Sequence, residues 1–424
     1  VKNIFVLALD EENTRTLNRI RGAEDYRFHS LLSVEECQVG DIEVEELLQK
    51  AEAQLDAFDG SIDAIVGYWD FPVSTLRAIL CEKYGLPGPS LESIVKCEHK
   101  YWSRLEQRKA IDAYPHFGIV DLDTDDPRPP DGVRYPMWLK PVKSYSSELA
   151  FQVRDDEEFD GAVAEIREGI DRVGKPFDYL MGKLDLPAEI ADVGGAACLA
   201  EEAMSGVQCA TEGYVHKGQV VVYGVLDSID YPGRSSFLRH QYPSQLPADA
   251  IEQLVDTSVR TIKQVGMDDS TFSIEFFYNP DARKVCLLEI NPRHSQSHAE
   301  MFAYVDGVPN HETMVRVGLG QDPEPLHREG PYGIAAKWYH RRFSDALVRR
   351  VPTAAEIEKV QRDLPGVIVD IVPSEGMRLS DLPGQDSYSF ELAHVFAGAR
   401  DEAELKDKYE RCIAALPFEF AEEG

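Results

Sequence analysis

The chain has few of the features that most quickly place a sequence. Its cysteines stand singly at positions 37, 81, 97, 198, 209, 286 and 412. None forms a Cys-x-x-Cys pair, so neither a zinc site nor a disulfide framework is indicated, and lone thiols fit a reducing compartment. No apolar run approaches the ~20 residues needed to cross a bilayer. Basic residues are scarce, 44 against 75 acidic ones, for a formal net charge of −31. That balance argues against nucleic-acid and anionic-membrane partners, both of which require positive surface. No internal repeat and no low-complexity tract is evident. Near the start, the apolar run Ile4 to Leu9 passes at once into Asp10, Glu11 and Glu12. It reads as a buried strand and its loop, too short and wrongly flanked for a signal peptide. The expectation is a cytoplasmic protein.

What is present is apolar material for a core. Hydrophobic residues make up 43% of 424, a length that predicts two or three domains. The opening segment alternates strands with helices: a strand at 4–9, a helix at 44–58, a strand at 63–67, and a helix from Pro72 to Tyr84 stopped by Gly85. That alternation predicts a small parallel sheet. Helical character resumes at 91–109. Beyond an Asp/Pro-rich loop, Met137-Trp138-Leu139-Lys140-Pro141 begins a stretch of short strands with one helix at 156–170. Strands at 211–215 and 220–225 flank a hairpin turn. A helix over 247–265 keeps Ile251, Leu254, Val255, Val259, Ile262 and Val265 on one face. Strands at 333–340, 367–372 and 387–396 and a helix at 401–416 complete the pattern.

The most informative stretch is Phe272-Ser273-Ile274-Glu275-Phe276 followed, across Asn279-Pro280, by Leu287-Leu288-Glu289-Ile290-Asn291-Pro292-Arg293. Each arm is an apolar run interrupted by one carboxylate, which is costly to bury unless something positive meets it. Either glutamate alone would read as half of a structural salt bridge. Together, two carboxylates and an Asn oxygen on adjacent strands suit a hard cation such as Mg²⁺. Arg293 then offers a planar fork for phosphate or carboxylate.

This pattern resembles the metal hairpin of the ATP-grasp enzymes, and the resemblance extends over most of the chain. It implies a small parallel α/β domain at 1–92, a two-lobed ATP-grasp domain at 93–330 with a mobile lid at about 136–205, and an α+β region at 331–424 like that of biotin carboxylase. It implies ATP with Mg²⁺ or Mn²⁺ as cofactors, the metal held by Glu275, Glu289 and Asn291, and Arg293 at the reacting phosphoryl and acyl groups. Lys100 and Lys140 match the phosphate lysines. Glu201, Glu202 and Met204 match the adenine hinge, and Gln208 a ribose contact. The loop after Lys140, Val142-Lys143-Ser144-Tyr145-Ser146-Ser147, departs from the family in having no glycine; Ser146 and Ser147 take the place of its phosphate-binding amides.

The branch of the family that the resemblance indicates contains both carboxylases and ligases. Biotin carboxylases carry Gln and then a catalytic Glu where this chain has Ser295 and Ser297, although His298 is kept. Without a carboxylate there, bicarbonate chemistry loses its base. The expectation is a carboxylate–amine ligase acting on small molecules, with Arg239, His240, Ser295, Ser297 and His298 on the substrate side. A carboxylase, or a nucleotide-binding protein without catalysis, is the alternative. A homodimer is compatible with the sequence.

Overall fold

The structure is a computed structural model that describes residues 1–421 except 41, 144–148 and 387. Its first sheet is parallel, with β1 (Lys2–Leu7) between β2 (Tyr26–Leu31) and β3 (Ala64–Val66). Both faces are covered, as a parallel sheet requires. Phe5, Leu7 and Ile65 meet the helices Val44–Asp56 and Val73–Tyr84 on one side. On the other, Ile4, Val6 and Val66 meet Leu17, Met314 and Val315. The last two lie on the helix His311–Gly318, from far along the chain, so this sheet is closed by a later segment. The stretch expected to be helical at 91–109 is two helices, Leu91–Glu98 and Lys100–Ala110, with His99 capping the second.

The second sheet has the order β4-β7-β5-β6, formed by β4 (Phe117–Val120), β5 (Met137–Pro141), β6 (Phe151–Val153) and β7 (Cys198–Glu202). Its helix was expected to end at 170 but runs Asp156–Met181, through Pro176. A proline inside a helix costs about 3 kcal/mol. The extra turns bury Phe177, Leu180 and Met181 in the core of the first domain. Such side chains contribute roughly 1.5–3 kcal/mol each, so burial wins.

The third sheet has eight strands: β8 (Val207–His216), β9 (Gln219–Asp230), β10 (Phe237–Tyr242), β11 (Ser270–Asn279), β12 (Lys284–Asn291), β13 (Ile334–Arg342), β15 (Val367–Ile371) and β16 (Phe390–Ala399). A two-stranded ribbon of β14 (Leu347–Arg350) and β17 (Glu419–Ala421) lies apart. The large sheet is continuous across position 330, because β10 pairs with β13, so a division of the chain there runs through one hydrogen-bonded sheet. One face of its first half packs on the helix Ala248–Val265; the second half packs on Ala354–Asp363 and Glu402–Ala414. Among the described residues no helix is long and apolar enough to cross a membrane.

The connection from β7 to β8 joins the second sheet to the third and depends on Gly206. Its φ of +126° suits glycine alone, and a Cβ there would lie 2.1 Å from the Tyr278 carbonyl oxygen.

Candidate active site

The register of β11 and β12 places Glu275 directly opposite Glu289. Like charges at such a position repel. Burial, with Glu289 adding to it, pushes the Glu275 carboxyl up to about 7. Burial works against the charged form of Glu289 too, but Lys100 and Lys140 override it and hold that carboxyl below its ordinary range. Lys100 Nζ lies 3.3 Å from Glu289 Oε1. Glu275 accepts hydrogen bonds from Gln208 Nε2 at 3.0 Å and Asn291 Nδ2 at 3.2 Å. With its amide nitrogen so engaged, Asn291 has its side-chain oxygen left for another partner.

Those features fit a divalent cation, whose charge would relieve the opposed carboxylates. Among the described residues no group of three or more His, Cys, Asp or Glu forms a metal cluster. A cation held here would therefore take further oxygens from a ligand or water, as Mg²⁺ commonly does.

The cationic side of the cleft is more tightly wired than its sequence suggests. Lys140, expected as a phosphate lysine, lies 2.5 Å from Glu201 Oε2. Glu201, expected at the adenine or ribose, is fully engaged between Lys140 and Arg104, whose Nε is 2.6 Å from Oε1. Burial alone would raise the Glu201 carboxyl; the two cations bring it down to about 2. Arg104 also donates to the Leu287 and Leu288 carbonyls, tying this triad to β12. Glu202, the next residue on the strand, instead pairs with Arg134 at 3.1 Å. Lys143 is buried against Glu98 at 3.1 Å and lies over the Phe71 and Phe177 rings.

Arg293 makes a two-pronged pair with Asp70, at 2.8 Å and 2.7 Å, which anchors the end of β12 to the loop after β3. The next residues hang on Glu212, which is completely buried. It accepts from Ser295 N, His298 Nδ1, Asn310 Nδ2 and the Tyr223 hydroxyl, all at 2.9–3.1 Å. Asn310 continues to His311, His311 to Asn13, and Asn13 to Asp10, so one polar chain runs from this loop into the first domain.

Two cavities result. The first, of about 530 Å³, is lined by Lys100, Lys140, Glu201, Met204, Gln208, Glu275, Glu289, Asn291 and Arg293, together with Asp70, Glu98 and Lys143. The second, of about 680 Å³, includes Ser297. Ser295 stands behind it, 3.0 Å from the Ser297 hydroxyl. His298 is buried on Glu212, and His240 bonds Ser228 and packs edge-on to His298. Arg239 is a correction. Strand alternation turns it to the opposite face from His240, where it stacks over Trp338 and meets Gln241 and Glu402. Ser146 and Ser147 lie outside the described residues. Asp70, Glu98 and Arg104 were not singled out from the sequence. For Asp70 a signal exists, since a carboxylate just past the C-terminal end of a parallel strand stands where ligands gather.

Comparison with known proteins bears on this arrangement directly. Residues 133–299 match the family model described as the ATP-grasp domain. The chain carries an ATP-grasp domain. No curated protein matches the sequence. Solved structures do match over its whole length. An L-amino acid ligase from Bacillus licheniformis superposes with a TM-score of 0.72 at 14% identity, covering 100% of this chain and 99% of that one. A phosphoribosylglycinamide synthetase from Anaerococcus prevotii gives 0.67 at 13%, covering 99% and 100%. The biotin carboxylase domain of the Hydrogenobacter thermophilus 2-oxoglutarate carboxylase, in complex with MgADP, ADP and bicarbonate, gives 0.66 at 16%, covering 99% and 91%. The ATP-grasp domain thus sits in a biotin-carboxylase-like architecture spanning the chain.

Proposed function

We propose that this protein is an ATP-dependent, ADP-forming ligase that activates a small carboxylate, such as an amino acid, and joins it to an amine. The observation that carries this reading is a single cavity bringing together the opposed Glu275 and Glu289, the lysines 100, 140 and 143, and Arg293. In an acidic protein, such a concentration of cations beside two carboxylates suits a metal-bound triphosphate. ATP with Mg²⁺, or Mn²⁺, is the ligand proposed; the metal would be held by Glu275, Glu289 and Asn291, and when bound it offsets phosphate charge. Residues 136–205 would act as the lid over the nucleotide, between a first domain at 1–92 and the α+β region beyond 330.

No side-chain nucleophile is needed. A carboxylate oxygen attacks the γ-phosphoryl group, ADP departs, and the amine nitrogen attacks the acyl carbon of the resulting acyl phosphate to expel phosphate. The protein's work is positioning and charge stabilisation. Arg293 suits the transfer because its fork can bridge a phosphoryl and a carboxylate oxygen.

A carboxylase would need a base near positions 295–297. Glu212, the carboxylate closest to that loop through its hydrogen bonds, is saturated by four donors. Glu300 is paired with Arg19 at 2.8 Å. The test is phosphate release from Mg-ATP with pools of amino acids, with and without bicarbonate. Amino-acid-dependent release supports the ligase; bicarbonate dependence, or silence in every pool, refutes it.

A further inference from the structure

A guanidinium can meet a carboxylate on its end edge, formed by the two terminal nitrogens, or on its side edge, formed by Nε and Nη2. Asp70 takes the side edge of Arg293: Nε donates to Oδ1 at 2.8 Å and Nη2 to Oδ2 at 2.7 Å. A counter-ion on the end edge would have used up both terminal nitrogens. Here that edge is spared, and among the described residues Nη1 has no hydrogen-bond partner. The Arg293 side chain is only 16% exposed and lines the nucleotide cavity, so an oxyanion in that cavity is the partner the open edge lacks.

Asp70 is carried on a fixed piece of backbone between β3 and the helix Val73–Tyr84. The Tyr68 hydroxyl bonds the Ala8 carbonyl and the Asp10 carboxylate. The Trp69 indole N–H donates to the same carbonyl at 3.0 Å, and the Phe71 ring packs edge-on to Phe177. The lysines lining the cavity, 100, 140 and 143, pair with Glu289, Glu201 and Glu98. Of the cations lining this cavity, Arg293 alone is matched from the first domain. The Asp70 side chain is itself about half exposed, and such a pair adds little to stability. Its geometry is what calls for a reason.

We propose that Asp70 is a positioning residue for phosphoryl transfer, turning the open edge of Arg293 toward the group in flight, so that the first domain supplies part of the reacting site. This rests on the ligase reading. A carboxylate beside a polyphosphate also opposes its binding, so Asp70→Asn separates two effects of opposite sign. Loss of the charge alone would tighten nucleotide binding. Loss of orientation is felt in the transition state, where a misplacement of about 1 Å can cost about 10²-fold. Asparagine cannot keep the two-pronged pair, because its amide nitrogen would face one of the two guanidinium donors.

Calorimetry with the whole protein tests this without turnover. The probes are MgADP alone and MgADP with aluminium fluoride, a planar stand-in for the phosphoryl group in transfer. In wild type, fluoride should tighten binding about tenfold or more. Asp70→Asn and Arg293→Lys should each lose most of that gain, and the double variant no more than either. Affinity of Asp70→Asn for MgADP alone, equal to or above wild type, verifies its fold. A full gain in Asp70→Asn would make Asp70 a bystander charge, and an equal loss for MgADP alone would make its role merely structural. Either result, additive losses in the double variant, or no gain in wild type would overturn the proposal. Failure of the ligase reading shows elsewhere, as a fluoride gain that depends on Asp70 without amino-acid-dependent phosphate release.

Discussion

Glu275 carries the clearest trade between stability and function. Its carboxyl, raised to about 7, binds a proton more tightly in the folded protein than in the unfolded chain, where ordinary carboxylates titrate near 4.3. The sign follows from linkage: as pH rises from the unfolded value through 7, the unfolded chain loses its proton first and the folded state is progressively destabilised. Glu275→Gln removes that cost. Without metal or nucleotide, the variant should melt about 2–4 °C above wild type at pH 8 and with wild type at pH 4, while losing ATP turnover; calorimetry at the two pH values checks it. Lys140 makes the opposite case. A phosphate lysine with no partner could be truncated without harm to the apoprotein, but this one is bound to buried Glu201. Lys140→Ala should therefore weaken ATP binding and also lower the melting temperature, and Glu201→Gln added to it should recover part of the loss. The sequence showed both residues; it could not show that they meet, because contacts between β5 and β7 depend on the register of strands some sixty positions apart.

At the scale of elements, periodicity was legible where one face is buried. The helix Ala248–Val265 and the β11–β12 hairpin stand as their patterns indicate. Elements failed to read where tertiary burial overrides local preference. The helix through Pro176 is one example. Strand β2 is another, since Tyr26–Leu31 is half-exposed and lacks an apolar run. The resemblance puts Arg239 and His240 together on the substrate side, yet a strand sends neighbours to opposite faces. The β7–β8 connection gives a testable case. Gly206 combines positive φ with a close approach to the β11 backbone, so Gly206→Ala must shift the second sheet against the third. A stability loss of more than about 1 kcal/mol and weaker ATP binding are expected, by denaturant titration and calorimetry. Wild-type values for both would remove the connection from the nucleotide site.

For the whole molecule, the site is assembled from parts that sequence order separates widely. Asp70 meets Arg293, Arg104 meets Glu201 and the hairpin, and a polar chain runs from Glu212 to Asp10. The motifs on the hairpin were legible because their residues are close in sequence. The second cavity was not, since its walls come from α/β domain, loop and distant strands at once. The central claim is that a carboxylate oxygen attacks the γ-phosphoryl group of ATP and that phosphate leaves carrying that oxygen. Mass analysis of phosphate formed from Mg-ATP and amino acids labelled with ¹⁸O in the carboxylate tests it most directly. One labelled oxygen per phosphate, with ADP as the other nucleotide product, is predicted; unlabelled phosphate, or AMP and pyrophosphate, would contradict it.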